Sequence, residues 1–300
     1  SESDYWDYDQ SLYKNPFITD LYEPGSTMKP LVMAGAINDG LVTPYTQCPI
    51  CSGPVQVGDY AIHTWDDHYF PNTTMMDVLK HSDNTGMVYV SEKMGLDRML
   101  SNFSKFGVSD TTNIDLQGEV ASTIRDRQTW YPVDVATSAF GQGIAVTPME
   151  LLDGFAAIAN NGTRMEPHVV DHVITSDGQT LTIPPKVVDQ PITPTTAKIV
   201  TEMLVYTVNK GEAAFARLPG YRIAGKTGTA SIPVSGHYDP TKTIASFIGF
   251  APADNPKFAM LVIMNDPKAS PWGSETAAPV FFEIAKNLLA YYGVPPTPGE

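Results

Sequence analysis

The sequence predicts an α+β domain: an antiparallel sheet flanked by helices, with a helical lobe drawn from the middle of the chain. Three observations predict it. The C-terminal third carries strand candidates at residues 221–231, 243–250 and 258–265, and the turn Ala253-Asp254-Asn255-Pro256 joins the last two as an antiparallel hairpin with a buried face. The middle of the chain is instead dense in helix starts and stops. No internal repeat occurs, so the fold is not an array.

Composition sets the bounds. Three hundred residues, 42% hydrophobic and 17% charged, can bury a substantial core as one large or two small domains. A formal charge of −14 and a pI near 4.7 argue against nucleic acid or an anionic membrane surface as the main partner. No run of 18 apolar residues is present, so no segment reads as a transmembrane helix, and no signal peptide begins at Ser1.

In chain order, residues 1–21 read as an irregular lead-in rich in Asp, Tyr, Ser and Asn. The stretch Tyr22-Glu23-Pro24-Gly25-Ser26-Thr27-Met28-Lys29-Pro30 follows. Its Pro-Gly pair breaks the chain, and an apolar run through Leu31, Val32, Ala34 and Ile37 predicts a helix with Ser26 in its first turn. Residues 41–73 read as loop, with four prolines. Their Trp65, His63 and His68 read more readily as packing residues than as ligands. Cys48-Pro49-Ile50-Cys51 holds both cysteines and leaves three readings open: a disulfide, a zinc site completed by His63 and His68, or two thiols in a loop.

Thr74-Met75-Met76-Asp77 signals a short helix that halts at His81-Ser82-Asp83-Asn84. A second helix runs from Thr85 to Met94 and stops at Gly95, and Asp97 starts a third over 98–106. Residues 108–135 read as turns with short extended pieces, and Phe140-Gly141-Gln142-Gly143 as a tight loop. Thr147-Pro148-Met149-Glu150 is a full capping box for a helix reaching Asn160, expected to lie centrally in the helical lobe because it is apolar over much of its circumference. Short strands and loops are expected over 163–193, an amphipathic helix over 195–209, and a last helix over 275–292 before a Pro-rich tail at 294–300.

Three short patterns carry chemistry. In Ser26-x-x-Lys29 the two side chains share a helical face. Serine is a weak nucleophile without a base within hydrogen-bond reach, and a lysine held in a cleft beside other cations can lose its proton and become that base. Alone the pattern is weak: it arises by chance about once in a chain of this length, and Ser11-Leu12-Tyr13-Lys14 also fits. The latter runs into the turn signal Asn15-Pro16 with no helix behind it, so context selects Ser26. Ser82-Asp83-Asn84 sits on the link between two apolar helices and alone reads as a helix cap. Lys226-Thr227-Gly228-Thr229 lies on the first strand candidate, where small residues let an extended peptide approach and the lysine and hydroxyls suit a carboxylate; alone it reads as a weakened edge strand.

Taken in order and in context, the trio resembles that of penicillin-binding proteins and class A β-lactamases. Tyr22–Pro30, Phe140–Pro148, Ala224–Ala230, Ser246–Pro252 and Ala277–Phe281 extend the resemblance, from about Asp20 onward, to class B penicillin-binding proteins. Ser246-Phe247-Ile248-Gly249-Phe250-Ala251-Pro252 and Gly293-Val294-Pro295-Pro296 look most like the division-specific branch. The resemblance implies the serine β-lactamase/penicillin-binding-protein transpeptidase fold over 22–293. It further implies a peptidoglycan D,D-transpeptidase, without cofactor or metal, on stem peptides ending in D-Ala-D-Ala and inhibited by β-lactams.

By the same resemblance, Ser26 is the nucleophile and Lys29 takes its proton. Ser82 passes a proton to the leaving group and Asn84 holds the peptide amide. Lys226 belongs to the catalytic set and, with Thr229, reads the terminal carboxylate. Thr227, Gly228 and Asp83 join Thr229 as substrate-binding positions, and the backbone N–H groups of Ser26 and Thr229 form the oxyanion hole. The implied partners are wall-synthesis or division membrane proteins such as a glycosyltransferase, and the implied place is the extracytoplasmic face of the bacterial membrane. Family members carry one or two strands, a pedestal domain and an anchor ahead of the serine helix, and only 25 residues precede Ser26 here, so the chain is read as part of a longer protein.

Three alternatives differ in what resolves the acyl-enzyme: a D,D-carboxypeptidase uses water, a β-lactam sensor does not turn over, and a β-lactamase needs a deacylating carboxylate. Glu119 and Glu150 are the nearest glutamates, and neither heads a Glu-x-x-Leu-Asn pattern.

Overall fold

A computed structural model describes residues 9–234 and 237–297. The first eight residues of the lead-in and the last three of the tail lie outside the described residues. Helices α1 (Pro16–Thr19), α2 (Lys29–Asn38), α3 (Met75–Lys80), α4 (Asn84–Lys105), α5 (Pro132–Ser138), α6 (Pro148–Ala159), α7 (Pro194–Lys210) and α8 (Ala277–Tyr291) surround one larger sheet. That sheet is antiparallel in the order β7 (Ala224–Val234), β8 (His237–Ala251), β9 (Phe258–Asn265). Among the described residues there are also three two-stranded ladders: β1 (Val55–Val57) with β2 (Tyr60–Ile62), β3 (Arg164–Met165) with β6 (Val187–Asp189), and β4 (His172–Ile174) with β5 (Thr180–Thr182).

The strand period of two places the sheet between two cores. On β8, Phe247 and Ala251 turn to α8, where they pack with Phe281, Phe282, Ala285 and Leu289. Ile248 and Phe250 turn the other way, into the larger core shared with α2, α4, α6 and α7, and Phe250 meets Phe155 of α6 with ring centroids 5.7 Å apart. A Cβ on Gly249 would stand 2.8 Å from the Phe281 ring and 2.7 Å from the Ala224 carbonyl oxygen, so glycine lets α8 and β7 close on the central strand.

The start signals are used as local chemistry demands. The Thr74 hydroxyl accepts from the N–H three residues on, and Thr193, which the sequence had not marked, does the same at the start of α7. The Thr147–Glu150 box is reciprocal at 3.1 and 2.6 Å. Gly95, at φ 67° and ψ 170°, breaks α4 where a stop is expected.

Four expectations are corrected. The lead-in is not wholly irregular: Asn15 caps α1, and Ile18 is buried. A β1–β2 hairpin stands inside the expected loop of 41–73, turned at Gly58 with φ 61°. Helix α5 occupies part of the expected turns; Pro132 is at its start, and the Tyr131 N–H donates to Asp134 at 2.8 Å. Helix α6 packs centrally as expected, beside α2, which is buried from Lys29 through Ile37. Ser26 precedes α2 proper, in a 3₁₀ turn over Gly25–Thr27.

Cys48 and Cys51 form a disulfide, and both lie in the larger core. Their sulfurs are thereby unavailable as zinc ligands, and His63 instead meets Asp67 and Tyr69 at 2.8 and 3.1 Å. Among the described residues no group of three or more His, Cys, Asp or Glu could hold a metal ion. No described helix is long and apolar enough to cross a membrane.

Candidate active site

The serine turn is set by backbone packing. Gly25 holds φ 55° and donates its N–H to the Gly141 carbonyl at 3.0 Å. A Cβ on Gly141, itself at φ 80°, would lie 2.2 Å from the Gly25 oxygen, so the 140–143 loop and the serine turn touch main chain to main chain. The Thr27 hydroxyl donates to the Pro24 carbonyl at 2.6 Å. Thr27, Met28 and Lys29 are buried, whereas Ser26 is half-buried and lines a groove of about 580 Å³.

The second pattern arrives on the α3–α4 link. Ser82 sits in the left-handed region at φ 56°, a conformation an L-residue holds only when its surroundings fix it. There its hydroxyl donates to Ser26 Oγ at 2.7 Å. Lys29 Nζ donates to the Ser82 carbonyl and to Asn84 Oδ1 at 2.5 and 2.9 Å, and lies 3.2 Å from Ser82 Oγ. From β7, Lys226 Nζ donates to Ser82 Oγ at 3.0 Å and to the Thr227 carbonyl and hydroxyl oxygens at 3.1 Å each. One hydroxyl, that of Ser82, therefore touches Ser26 and both lysines, and no hydrogen bond joins Lys29 directly to Ser26 among the described residues.

Electrostatics separate the two lysines. Both ammoniums are essentially inaccessible to water. Burial pushes Lys29 well below the ordinary lysine range, and the charge of Lys226 pushes it further, against the opposing pull of Asp83 and Glu212. Lys226 is lowered by burial and supported by Glu212. Two like charges at this spacing without water disfavour double protonation, so Lys29 is the group poised to be neutral.

The structure brings Ser26, Lys29, Ser82, Asn84, Lys226, Thr227 and Thr229 together, and it separates two predicted positions from the groove. Asp83 caps α4: its Oδ1 accepts from the Thr85 N–H at 2.8 Å, the Thr85 hydroxyl at 2.7 Å and the Gly86 N–H at 3.2 Å, so the cap reading applies to it and not to its neighbours. Gly228 serves close approach, since a Cβ there would stand 2.4 Å from Ser246 Oγ and 2.9 Å from the Thr27 methyl. Lys226 also differs from expectation in direction. Its ammonium is spent on Ser82 and Thr227 behind the groove wall, and of the same strand motif it is Thr227 and Thr229 that line the groove.

Sequence reasoning missed three contributors. Trp65, read as packing, lines the groove and meets Trp272 from the β9–α8 loop edge to face, with centroids 4.9 Å apart. Glu212, just past α7, accepts from the Thr227 hydroxyl at 3.0 Å. No local pattern marks any of the three. The carboxylates weighed for deacylation lie elsewhere: Glu150 is buried in its capping box and holds Ser122, and Glu119 holds Thr112 and Asn113.

A serine presented at a helix start, with two buried lysines and a second serine between them, at the seam of a helical lobe and the edge of an antiparallel sheet, defines the class of the serine β-lactamase and penicillin-binding-protein fold. The penicillin-binding protein transpeptidase domain model matches residues 2–286, and the chain belongs to that family. Stage V sporulation protein D of Bacillus subtilis is 33% identical over 98% of the chain and 46% of its own length. The peptidoglycan D,D-transpeptidase FtsI of Buchnera aphidicola is 32% identical over 95% of the chain and 48% of its own length. Among solved structures, the TP domain of Burkholderia pseudomallei penicillin-binding protein 3 superposes with a TM-score of 0.85 at 31% identity, covering 95% of this chain and 84% of that one. Penicillin-binding protein 3 of Mycobacterium tuberculosis, complexed with ampicillin, gives 0.89 at 29%, covering 99% and 68%. The chain spans about half the length of the sequence relatives it matches.

Proposed function

We propose that this chain is the D,D-transpeptidase domain of a peptidoglycan synthase, acylated at Ser26 by stem peptides ending in D-Ala-D-Ala and by β-lactams. The observation that carries the reading is the Ser82 hydroxyl held at hydrogen-bond distance from Ser26 and from both buried lysines, at the floor of an open groove.

Ser26 Oγ attacks the penultimate D-Ala carbonyl while its proton passes through the Ser82 hydroxyl to neutral Lys29. The oxyanion is received by the N–H groups of Ser26 and Thr229, an interaction whose loss costs about 10²–10³ in rate at such sites. The proton returns through Ser82 to the departing D-Ala amine. Thr227 and Thr229 face the terminal carboxylate, and Asn84 holds the peptide amide. The acyl group then passes to the amine of a second stem peptide. The family, and a relative in complex with ampicillin, support the β-lactam part of the reading.

The unit proposed to act is residues 22–293, within a membrane-anchored protein working outside the cytoplasmic membrane beside a glycosyltransferase or other division proteins. The Cys48–Cys51 disulfide supports an oxidising compartment, and relatives named FtsI and stage V sporulation protein D support the division branch.

Intact mass after exposure to benzylpenicillin tests the reading. A lasting gain of one ligand mass on the peptide containing Ser26, absent in Ser26→Ala, is expected. A gain that decays quickly to the starting mass would make the protein a β-lactamase instead, and an adduct persisting in Ser26→Ala would remove the nucleophile assignment. Release of D-Ala from a pentapeptide stem in the presence of an amine acceptor, with joined product, separates transpeptidation from carboxypeptidation and from sensing.

A further inference from the structure

The three patterns account for Ser26, Ser82 and the two lysines but leave Glu212 unused, although it stands at the end of the same chain of contacts. The chain runs from Glu212 Oε2 to the Thr227 hydroxyl at 3.0 Å, on to Lys226 Nζ at 3.1 Å, to Ser82 Oγ at 3.0 Å and to Ser26 Oγ at 2.7 Å. Its donors and acceptors can be counted. An ionised carboxylate only accepts, so the Thr227 proton is committed to Glu212 and the Thr227 oxygen must accept from Lys226. The Thr227 carbonyl must also accept, and Ser82 Oγ takes the third bond. Lys226 therefore has an acceptor for each of the three protons of an ammonium. Lys29 likewise has three acceptors within reach, the Ser82 carbonyl, Asn84 Oδ1 and Ser82 Oγ, so what sets Lys226 apart is that its Thr227 acceptor is fixed by a carboxylate.

We infer that Glu212 is a positioning residue of the proposed acylation reaction: its acceptor-only carboxylate orients the hydrogen bonds from Thr227 through Lys226 to Ser82 and favours the ammonium form of Lys226. The inference rests on Ser26 being the acylated residue. Glu212 is placed for the task. It lines the catalytic groove and also a second pocket of about 230 Å³ beside it, walled by Lys80, His81, Asp83 and Lys210 and by Asp66 and His68 of the 63–72 loop. Of these, Lys80 is paired with Asp77 at 2.7 Å and His68 with Asp66 at 3.3 Å, while Asp83 Oδ1 is engaged in the α4 cap. Across the groove Glu275 is engaged by the Ser270 hydroxyl at 2.5 Å. Glu212 is the group that supports the charge of Lys226, whereas Lys29 feels Asp83, Glu212 and, in the opposite sense, Lys226.

The test is the pH dependence of acylation by benzylpenicillin, read as adduct mass against time in wild type, Glu212→Gln and Glu212→Asp, each checked by its melting temperature. In the proposed reaction the acid limb reports protonation of Lys29 and the alkaline limb loss of the Lys226 proton. Gln keeps the length of Glu but removes the charge, and its amide can donate to Thr227 and reverse the chain. The alkaline limb is expected to fall by about one pH unit or more in Glu212→Gln, the acid limb to move less, and Asp to restore the wild-type profile. A profile in Glu212→Gln with both limbs unmoved, or one that Asp fails to restore while folded, overturns the inference and leaves the acylation reading intact. A wild-type protein that forms no adduct on Ser26 overturns both.

Discussion

Removing the Ser82 hydroxyl should slow acylation by about 10²–10⁴, the range for losing a positioned proton carrier. The expectation follows from distances: Ser82 Oγ lies 2.7 Å from Ser26 Oγ, 3.2 Å from Lys29 Nζ and 3.0 Å from Lys226 Nζ. In Ser82→Ala, Lys29 keeps the Ser82 carbonyl and Asn84 as acceptors, so the site does not collapse. Lys226 keeps two acceptors of three and, being buried, loses about 1–3 kcal/mol for the missing one. Alanine also inherits φ 56°, which glycine would hold without steric cost. Ser82→Gly is therefore the companion variant. Both should acylate slowly to a similar degree, with Ser26 still the modified residue, while Gly melts at or above Ala despite lacking the same oxygen. The assay is the second-order rate of benzylpenicillin adduct formation by intact mass. A rate in both folded variants within a factor of about three of wild type, some 0.7 kcal/mol in barrier, would mean that Lys29 takes the Ser26 proton without Ser82, and the relay would be wrong.

Four further outcomes follow. Gly141→Ala would drive a Cβ into the Gly25 carbonyl and displace the serine turn, so acylation should fall by about 10²-fold; wild-type kinetics would show that the 140–143 loop does not set the turn. Asp83→Ala should lower stability by about 1–2 kcal/mol through the lost α4 cap and Asp83→Asn by much less, read by melting; a raised KM for stem peptide in a stable Asp83→Asn would return Asp83 to substrate binding. Replacing both Cys48 and Cys51 by alanine opens a loop with a sequence separation of only 3, so chain entropy predicts a loss of about 2 kcal/mol with acylation unchanged, and a large loss of acylation would tie the disulfide to the site. Burial pushes the Asp153 carboxyl up to about 7 against the opposing pull of Arg164. Its protonated form is the one the fold favours, so its contribution is fully present below the unfolded carboxylate range and is lost as pH rises toward 7. The stability of wild type relative to Asp153→Asn should thus decline across that window, and a flat difference in melting temperature would refute it.

The sequence by itself determined what short-range chemistry controls. Thr74 and Thr147 start helices because their hydroxyls reach N–H groups three residues ahead. Gly95 breaks α4 because it reaches positive φ cheaply, and the second and third strand candidates pair as the antiparallel hairpin that their intervening turn predicts. The order of the Ser26, Ser82 and Lys226 patterns was equally legible. What only the tertiary structure decided lies at long separations: Lys29 to Ser82 across 53 residues, Ser82 to Ser26 across 56, Lys226 to Ser82 across 144. A motif states which residue types are present, not which hydroxyl stands between which amines. Thus Ser82 rather than Lys29 touches Ser26, Asp83 turns back to cap its own helix, and Trp65 meets Trp272. Glu212 joins the site on 15 residues of separation from Thr227, with the end of α7 laid beside β7 by packing. Those outcomes depend on how buried helices and strands fill space around two desolvated lysines, and no window of neighbouring residues contains that information.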